Sequence, residues 1–392
     1  MPLARSRISP AVFAVLIPAA AACAAGDSST REWTGIRDTI DGVEIVRNPS
    51  APLLADGTVA ATELWAVDGN DETGGAPVWE RPASVRAYGG SVYVLDRMAG
   101  RVYRYSAEDG SLLATMGRKG EGPGEVAEPM AFAVRAGEII IADAMSEMEV
   151  FDTLGTHLRS IRPNGIVFDV YPFGPDRLLV RLAQLTGESR WAILAPDRER
   201  RPLGPPAWTA EAPQDVPDCI REATSGPMIL RAHCSMLRVQ FIRDDGAPQR
   251  ETTVDRRPEY STEAELEAFA ARARQDISRL GAPTDQVERA VRDLVEQRRV
   301  KQIFAGVRRD TETGHTWVWE QASEDFGGGP ATLHLFDASG VYLARVTFER
   351  RWYDFDVVGD QIYALERDPD TDLATLVAYR VLIPSIEIVE DH

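Results

Sequence analysis

A unit that recurs about every 45 residues dominates this chain: a strand-like run, an aromatic, a short acidic turn and, in most copies, a glycine. It reads Val102-Tyr103-Arg104-Tyr105 up to Gly110, Met148-Glu149-Val150-Phe151-Asp152 up to Gly155, and Leu333-His334-Leu335-Phe336-Asp337 up to Gly340. Looser copies run from Trp191 to Arg198 and from Val239 to Gly246, so the turns are separated by steps of 45, 43, 48 and 94 residues. Short strands at a fixed period of this size specify an array, because no single repeat can bury its own apolar face.

The runs group into six units, at 83–116, 130–161, 166–203, 218–254, 302–348 and 353–382. Five hold four strands and the last is one strand short. The missing strand is expected near the N-terminus. Leu64-Trp65-Ala66-Val67 leads through a Gly-rich turn to Pro82, just as Thr115-Met116 leads through 117–125 to Pro129. Residues 62–67 therefore read as the outermost strand of the last unit, which closes the ring and removes its open edges. A further run at 42–47 is expected beside it. The fold class is all-β: a six-bladed β-propeller of four-stranded blades over 41–384, with a C-terminal tail at 385–392.

The long step is helical. In 262–300, Thr262 and Glu265 make a capping box, and Leu266, Phe269, Ala273, Ile277 and Leu280 recur at helical spacing. After a turn at Gly281, Val287, Val291 and Leu294 repeat the pattern. This is a helical hairpin inserted between blades four and five, with its stripes packed on each other and on the propeller rim. A partner-docking role is the alternative.

Residues 1–22 have a basic start at Arg5 and Arg7, an apolar run too short to span a membrane, and Ala20-Ala21-Ala22 before Cys23. This resembles a bacterial lipoprotein signal in which Cys23 carries the lipid, although Ala20 stands where leucine is usual. The alternative is an ordinary secretory leader. Residues 23–40 read as a flexible tether. The formal charge of −18 disfavours nucleic acid, and a membrane is expected only through a lipid anchor.

Export implies an oxidising compartment. Cys219 and Cys234 flank the Ser225-Gly226-Pro227 turn symmetrically, so a hairpin there would place them opposite one another as a disulfide. Two buried free thiols are the alternative.

Leu95-Asp96, Tyr105 to Gly110, the loop from Gly117 to Glu125, and Ile140-Ile141-Ala142-Asp143 followed by Val150-Phe151-Asp152 resemble the bacterial six-bladed β-propeller proteins related to NHL-repeat domains. The resemblance covers about residues 80 to 382. It implies a shape and an exported or lipid-anchored location, and it carries no catalytic residues.

Four aspartates are candidate channel ligands. Phe132-Ala133-Val134, Phe168-Asp169-Val170 and Phe355-Asp356-Val357 read as one place on the innermost strand, which aims Asp169 and Asp356 toward the channel. With Asp96 and Asp143 they could hold Ca²⁺, the one cofactor considered, and some six-bladed propellers are calcium-dependent lactonases or esterases. Asp96 and Asp143 also sit beside turns, where carboxylates accept backbone N–H bonds. Gly117, Gly120, Gly122, Gly124 and Glu125 superficially suggest a phosphate cradle. That loop enters a strand rather than a helix, however, so it reads as a blade connector. The five histidines form no recognisable motif. The expected work is non-enzymatic: a monomer binding a protein partner or small ligand at its channel-mouth loops. A calcium-dependent hydrolase is the alternative.

Overall fold

In a computed structural model the chain is a six-bladed β-propeller. The structure describes residues 29–70, 77–144, 147–163, 165–183, 189–195, 200–204, 208–209, 216, 219–279, 281, 283–321, 329–368, 371 and 373–390. The leader 1–22 and Cys23 lie outside them. Blade one runs outward from the axis through Pro82–Tyr88, Ser91–Asp96, Arg101–Ser106 and Leu112–Met116, each strand antiparallel to the last. Blades two, three and five repeat that order, starting at Pro129–Arg135, Ile166–Phe173 and Phe304–Arg309. Blade six takes three strands from the C-terminal end, Arg351–Val358, Gln361–Arg367 and Ala374–Leu382, and its outermost strand, Ala60–Asp68, from the N-terminal end.

Inner strands such as Ser91–Asp96 and Glu138–Asp143 are apolar runs without alternation, because a neighbouring blade covers each face. The core is accordingly six wedges, one in each seam. Val94, Tyr105 and Leu376 fill the seam between blades one and six, while Val150, Val170 and Val180 fill that between two and three. At about 25 cal/mol per Å² of apolar surface removed from water, these wedges are the main favourable term holding the ring.

Three expectations are corrected at the chain ends. The run at 42–47 lies not beside the closing strand but on blade four, where Val43–Asn48 pairs parallel to Pro248–Val254. Most of the supposed tether is strand. Ile36–Ile40 adds a sixth strand to blade four, and Ser29–Trp33 pairs in parallel with Ile386–Glu390, which occupies the supposed tail. From blade four the chain crosses blade five, where Leu53 and Leu54 donate to the Tyr342 and Leu343 carbonyls at 3.0 and 2.8 Å, and then enters blade six. Residues 36–68 are thus a belt over three blades. Its buckle is Asn48, which is 2% exposed. The Asn48 side-chain oxygen accepts from Trp33 Nε1 (3.1 Å) and the Tyr342 amide (2.8 Å), and its amide donates to Thr252 Oγ1 and the Gly340 carbonyl, both at 3.0 Å.

The insertion between blades four and five is two helices, α1 (Glu263–Arg279) and α2 (Thr284–Gln297). Thr262 and Glu265 cap α1 reciprocally, at 2.7 and 3.3 Å. The helices pack on one another, tied by Arg274 and Glu288 at 2.6 Å, and neither has a substantial contact with any strand. Leu266, Val287 and Val291 are the residues of the two helices that are buried. Among the described residues no helix is long and apolar enough to cross a membrane.

Candidate functional site: the central channel and its mouth

The innermost strands carry a bulge at one place in five blades, where the pairing skips Ala83, Met130, Phe168, Ala305 and Tyr353. The bulge sets the register, and it moves one expectation by two residues. Phe168 is equivalent to Tyr353 rather than to Phe355, so Asp169 shares its place with Asp354, and Tyr171 shares its place with Asp356. Two layers of side chains follow. The layer at the mouth has Arg86, Ala133, Tyr171, Arg308 and Asp356, and the layer beneath has Ser84, Ala131, Asp169, Gly306 and Asp354.

These layers form an ion-pair clasp. Asp354 accepts from Arg86 Nη1 at 2.6 Å, from Arg308 Nη2 at 2.7 Å and from the Val85 amide at 3.2 Å, joining blades six, one and five. Asp356 accepts from the Ala87 and Val357 amides at 2.8 and 3.0 Å. Tyr171 reaches in from blade three, its ring facing the Arg86 and Arg308 guanidiniums at 5.4 and 6.0 Å. Burial alone would lower the Arg86 guanidinium, but Asp354, Tyr171 and Asp356 hold it above its ordinary value. Burial pushes the Asp356 carboxyl up, against the pull of Arg308 and Arg86. Asp169 is occupied by Arg181 at 2.5 Å.

The four aspartates considered for calcium do not share one place. Asp96 is fully buried and accepts four amides, from Glu80, Arg81, Met98 and Ala99, at 2.6 to 3.0 Å. Asp143 accepts those of Ala127 and Glu128. Both tie the incoming connector to a strand end, away from the channel aspartates. Among the described residues no three of His, Cys, Asp and Glu gather to hold a metal ion. The Gly-rich connector folds around its own acid: Glu125 accepts the Gly122 amide at 2.9 Å and pairs with Arg118 at 2.7 Å, which holds its carboxyl below the usual range. Gly117 takes a left-handed φ of 76°, and a Cβ there would sit 3.0 Å from the Gly100 carbonyl oxygen. Gly120 leaves no room either, since a Cβ would strike the Glu125 carboxylate, and Gly124 takes a φ of 74°. Cys219 and Cys234 form a disulfide across the hairpin of Ile220–Ser225 and Met228–His233, with Cα atoms 5.3 Å apart.

Above the clasp the channel opens into a cavity of about 400 Å³ on the face that carries the first turn of every blade, and all six blades line it. Its floor is Arg86, Tyr171, Arg308 and Asp356, and its wall carries Arg309. Sequence reasoning missed Arg86, Arg308, Arg309, Tyr171 and Asp354. Val85-Arg86-Ala87 and Val307-Arg308-Arg309 stand at the aligned position, and a register fixed on the bulge would have found them.

Residues 73–178 match the model of the family DUF5128, described as a 6-bladed beta-propeller. A Bacteroides fragilis protein described as exported is 11% identical, aligned over 86% of this chain and 100% of its own, with a TM-score of 0.53. A member of the DUF4221 family from Bacteroides vulgatus is 10% identical over 83% of this chain and 98% of its own, also with a TM-score of 0.53. At such identities the shared property is the fold. No curated protein matches the chain.

Proposed function

We propose that this propeller is an exported binding protein whose working surface is the channel mouth. The observation that carries this reading is the cavity, to which every blade contributes and whose floor is a rigid ion-pair clasp. Ligand sites are concave, largely pre-formed and mostly apolar, with a few placed polar groups, and this cavity has that composition. The carboxylates that a hydrolase would need are engaged by arginines and backbone amides, so catalysis is not part of the reading. Export is supported by the leader and by the B. fragilis protein of the same fold. Lipid on Cys23 would anchor a monomer close to its membrane, since the six residues from Cys23 to Ser29 span at most about 20 Å.

Two experiments test this. Crystals soaked with a diverse set of small molecules should show occupancy in the mouth. Occupancy confined to other surfaces, or none, sinks the reading. Cys23→Ser should move the protein from the membrane to the soluble fraction, and an unchanged distribution removes the anchor.

A further inference from the structure

We propose that the seam between blades three and four is a proton-controlled latch in the wall of the mouth, with the Glu222 carboxyl as its sensor. What the latch regulates rests on the channel-mouth reading, whereas the latch itself is testable without a ligand.

Ile229 of blade four packs with Phe173 and Leu179 of blade three in this seam. Side chains alternate along a strand, so Arg231 enters the same seam, and Glu222, its cross-strand partner, faces the same way. Arg231 Nε donates to Glu222 Oε1, and Arg231 Nη2 donates to the Gly204 carbonyl at 2.9 Å, in the connector that leaves blade three. The Glu222 side chain is 0% exposed, and its Oε2 has no hydrogen-bond partner among the described residues. A buried carboxylate with one oxygen unmet is unfavourable as an anion, and a proton removes the charge.

The same strand reaches the mouth. Thr224, two residues on from Glu222, donates from Oγ1 to the Pro172 carbonyl at 2.5 Å, and the Gly174 amide donates to the Gly226 carbonyl at 2.9 Å. Both bonds cross the seam, and all four residues line the mouth cavity.

Other charges face the seam without reaching Glu222. Blade four brings His233 and the buried Arg238–Glu251 pair. Blade three brings Tyr171, Arg201, Arg181 with Asp169, and Arg177, which pairs with Asp244 at the rim. Arg181, Asp169 and Tyr171 act on Arg221, whereas Arg231 is the one charge among the described residues that acts on Glu222. Burial pushes the Glu222 carboxyl up to about 7, against the pull of Arg231. In an opened, hydrated seam it would return to the ordinary 4.5, so the closed seam holds the proton more tightly. The stabilisation is full below pH 4.5 and lost as pH rises through 7. On those two values the equilibrium for opening rises about tenfold between pH 6 and pH 8.

The test is amide exchange of the purified chain at pH 6 and pH 8, each rate divided by its intrinsic value so that base catalysis drops out. The opening constant read at the Gly174 amide should rise about tenfold, and in Glu222→Gln it should stay flat. A flat parent overturns the latch. So does a variant that keeps the rise, since the titrating group is then another. Should Glu222→Gln fail to fold, the parent decides alone. Its Glu222 carboxyl carbon, assigned through the backbone by NMR, should titrate near pH 7, and a midpoint near 4.5 overturns the inference. No ligand enters either measurement, so the crystal soaks decide the mouth reading separately.

Discussion

Replacing Asp354 by asparagine keeps the shape of the clasp and removes its charge. Arg86 and Arg308 are only 14% and 11% exposed as side chains, so each would lose its nearest counter-ion in a place water reaches poorly. Removing one partner of a buried ion pair costs about 3–5 kcal/mol. The lower end applies, because Arg86 keeps the Val85 carbonyl at 2.6 Å, and Arg308 keeps the Phe355 carbonyl at 3.0 Å and Asp356 at 3.8 Å. An unfolding entropy of about 2.1 cal/mol/K per residue over roughly 320 residues makes 3 kcal/mol a fall in Tm of about 4 °C. Calorimetry should show that shift, and hydrogen exchange should rise at the Val85 and Ala87 amides, which donate to Asp354 and Asp356. Adding Arg86→Met to Asp354→Asn should recover part of the loss by deleting one orphan cation. A Tm within about 1 °C of the parent, with exchange unchanged, would refute the clasp and leave closure to the apolar seams alone.

Asn48→Ala strands the Trp33 and Tyr342 donors in a buried site, and should lower the urea-derived stability by about 3 kcal/mol; less than about 1 kcal/mol would mean the belt is held elsewhere. Replacing both cysteines by serine should cost about 3 kcal/mol for a loop of 15 residues, read as a drop in the denaturant midpoint, with no midpoint shift on adding reductant to the variant. Glu320 gives the pH test. Burial would raise its carboxyl, but His334 and Arg256 hold it down to about 2, so its stabilisation is full above the ordinary carboxylate range and lost as pH falls through 2. Glu320→Gln should thus be less stable than the parent at pH 7, with the gap closing on acidification; a pH-independent gap contradicts the pairing.

The blades were legible because a strand buried on both faces needs a long apolar run, and the closing strand because its Gly-rich exit repeats that of blade one. The belt was not. Ile36–Ile40 has only exposed and partly exposed residues, and its neighbour Val43–Asn48 pairs with a partner some two hundred positions away, which no local pattern reports. Trp79, Trp317, Trp319 and Trp352 fill seams, and Trp208 lies under Arg238 at 4.5 Å. The clasp was half legible. Asp356 stood out in its Phe-Asp-Val setting, whereas Asp354 was missed because its meaning depends on arginines in two other blades. Charges that pair across a ring leave no spacing signature.

The belt also fixes an order of events. Ala60–Asp68 leaves the ribosome before any blade exists, yet its partner, Ala374–Leu382, is made some three hundred residues later. No chain that ends before residue 374 can complete blade six, and until then the early strand must wait with an unpaired edge. Long-range pairing of this kind makes folding slow and leaves intermediates prone to associate through that edge. A chain stopped before residue 374 should therefore behave as an incomplete ring rather than as a smaller stable propeller.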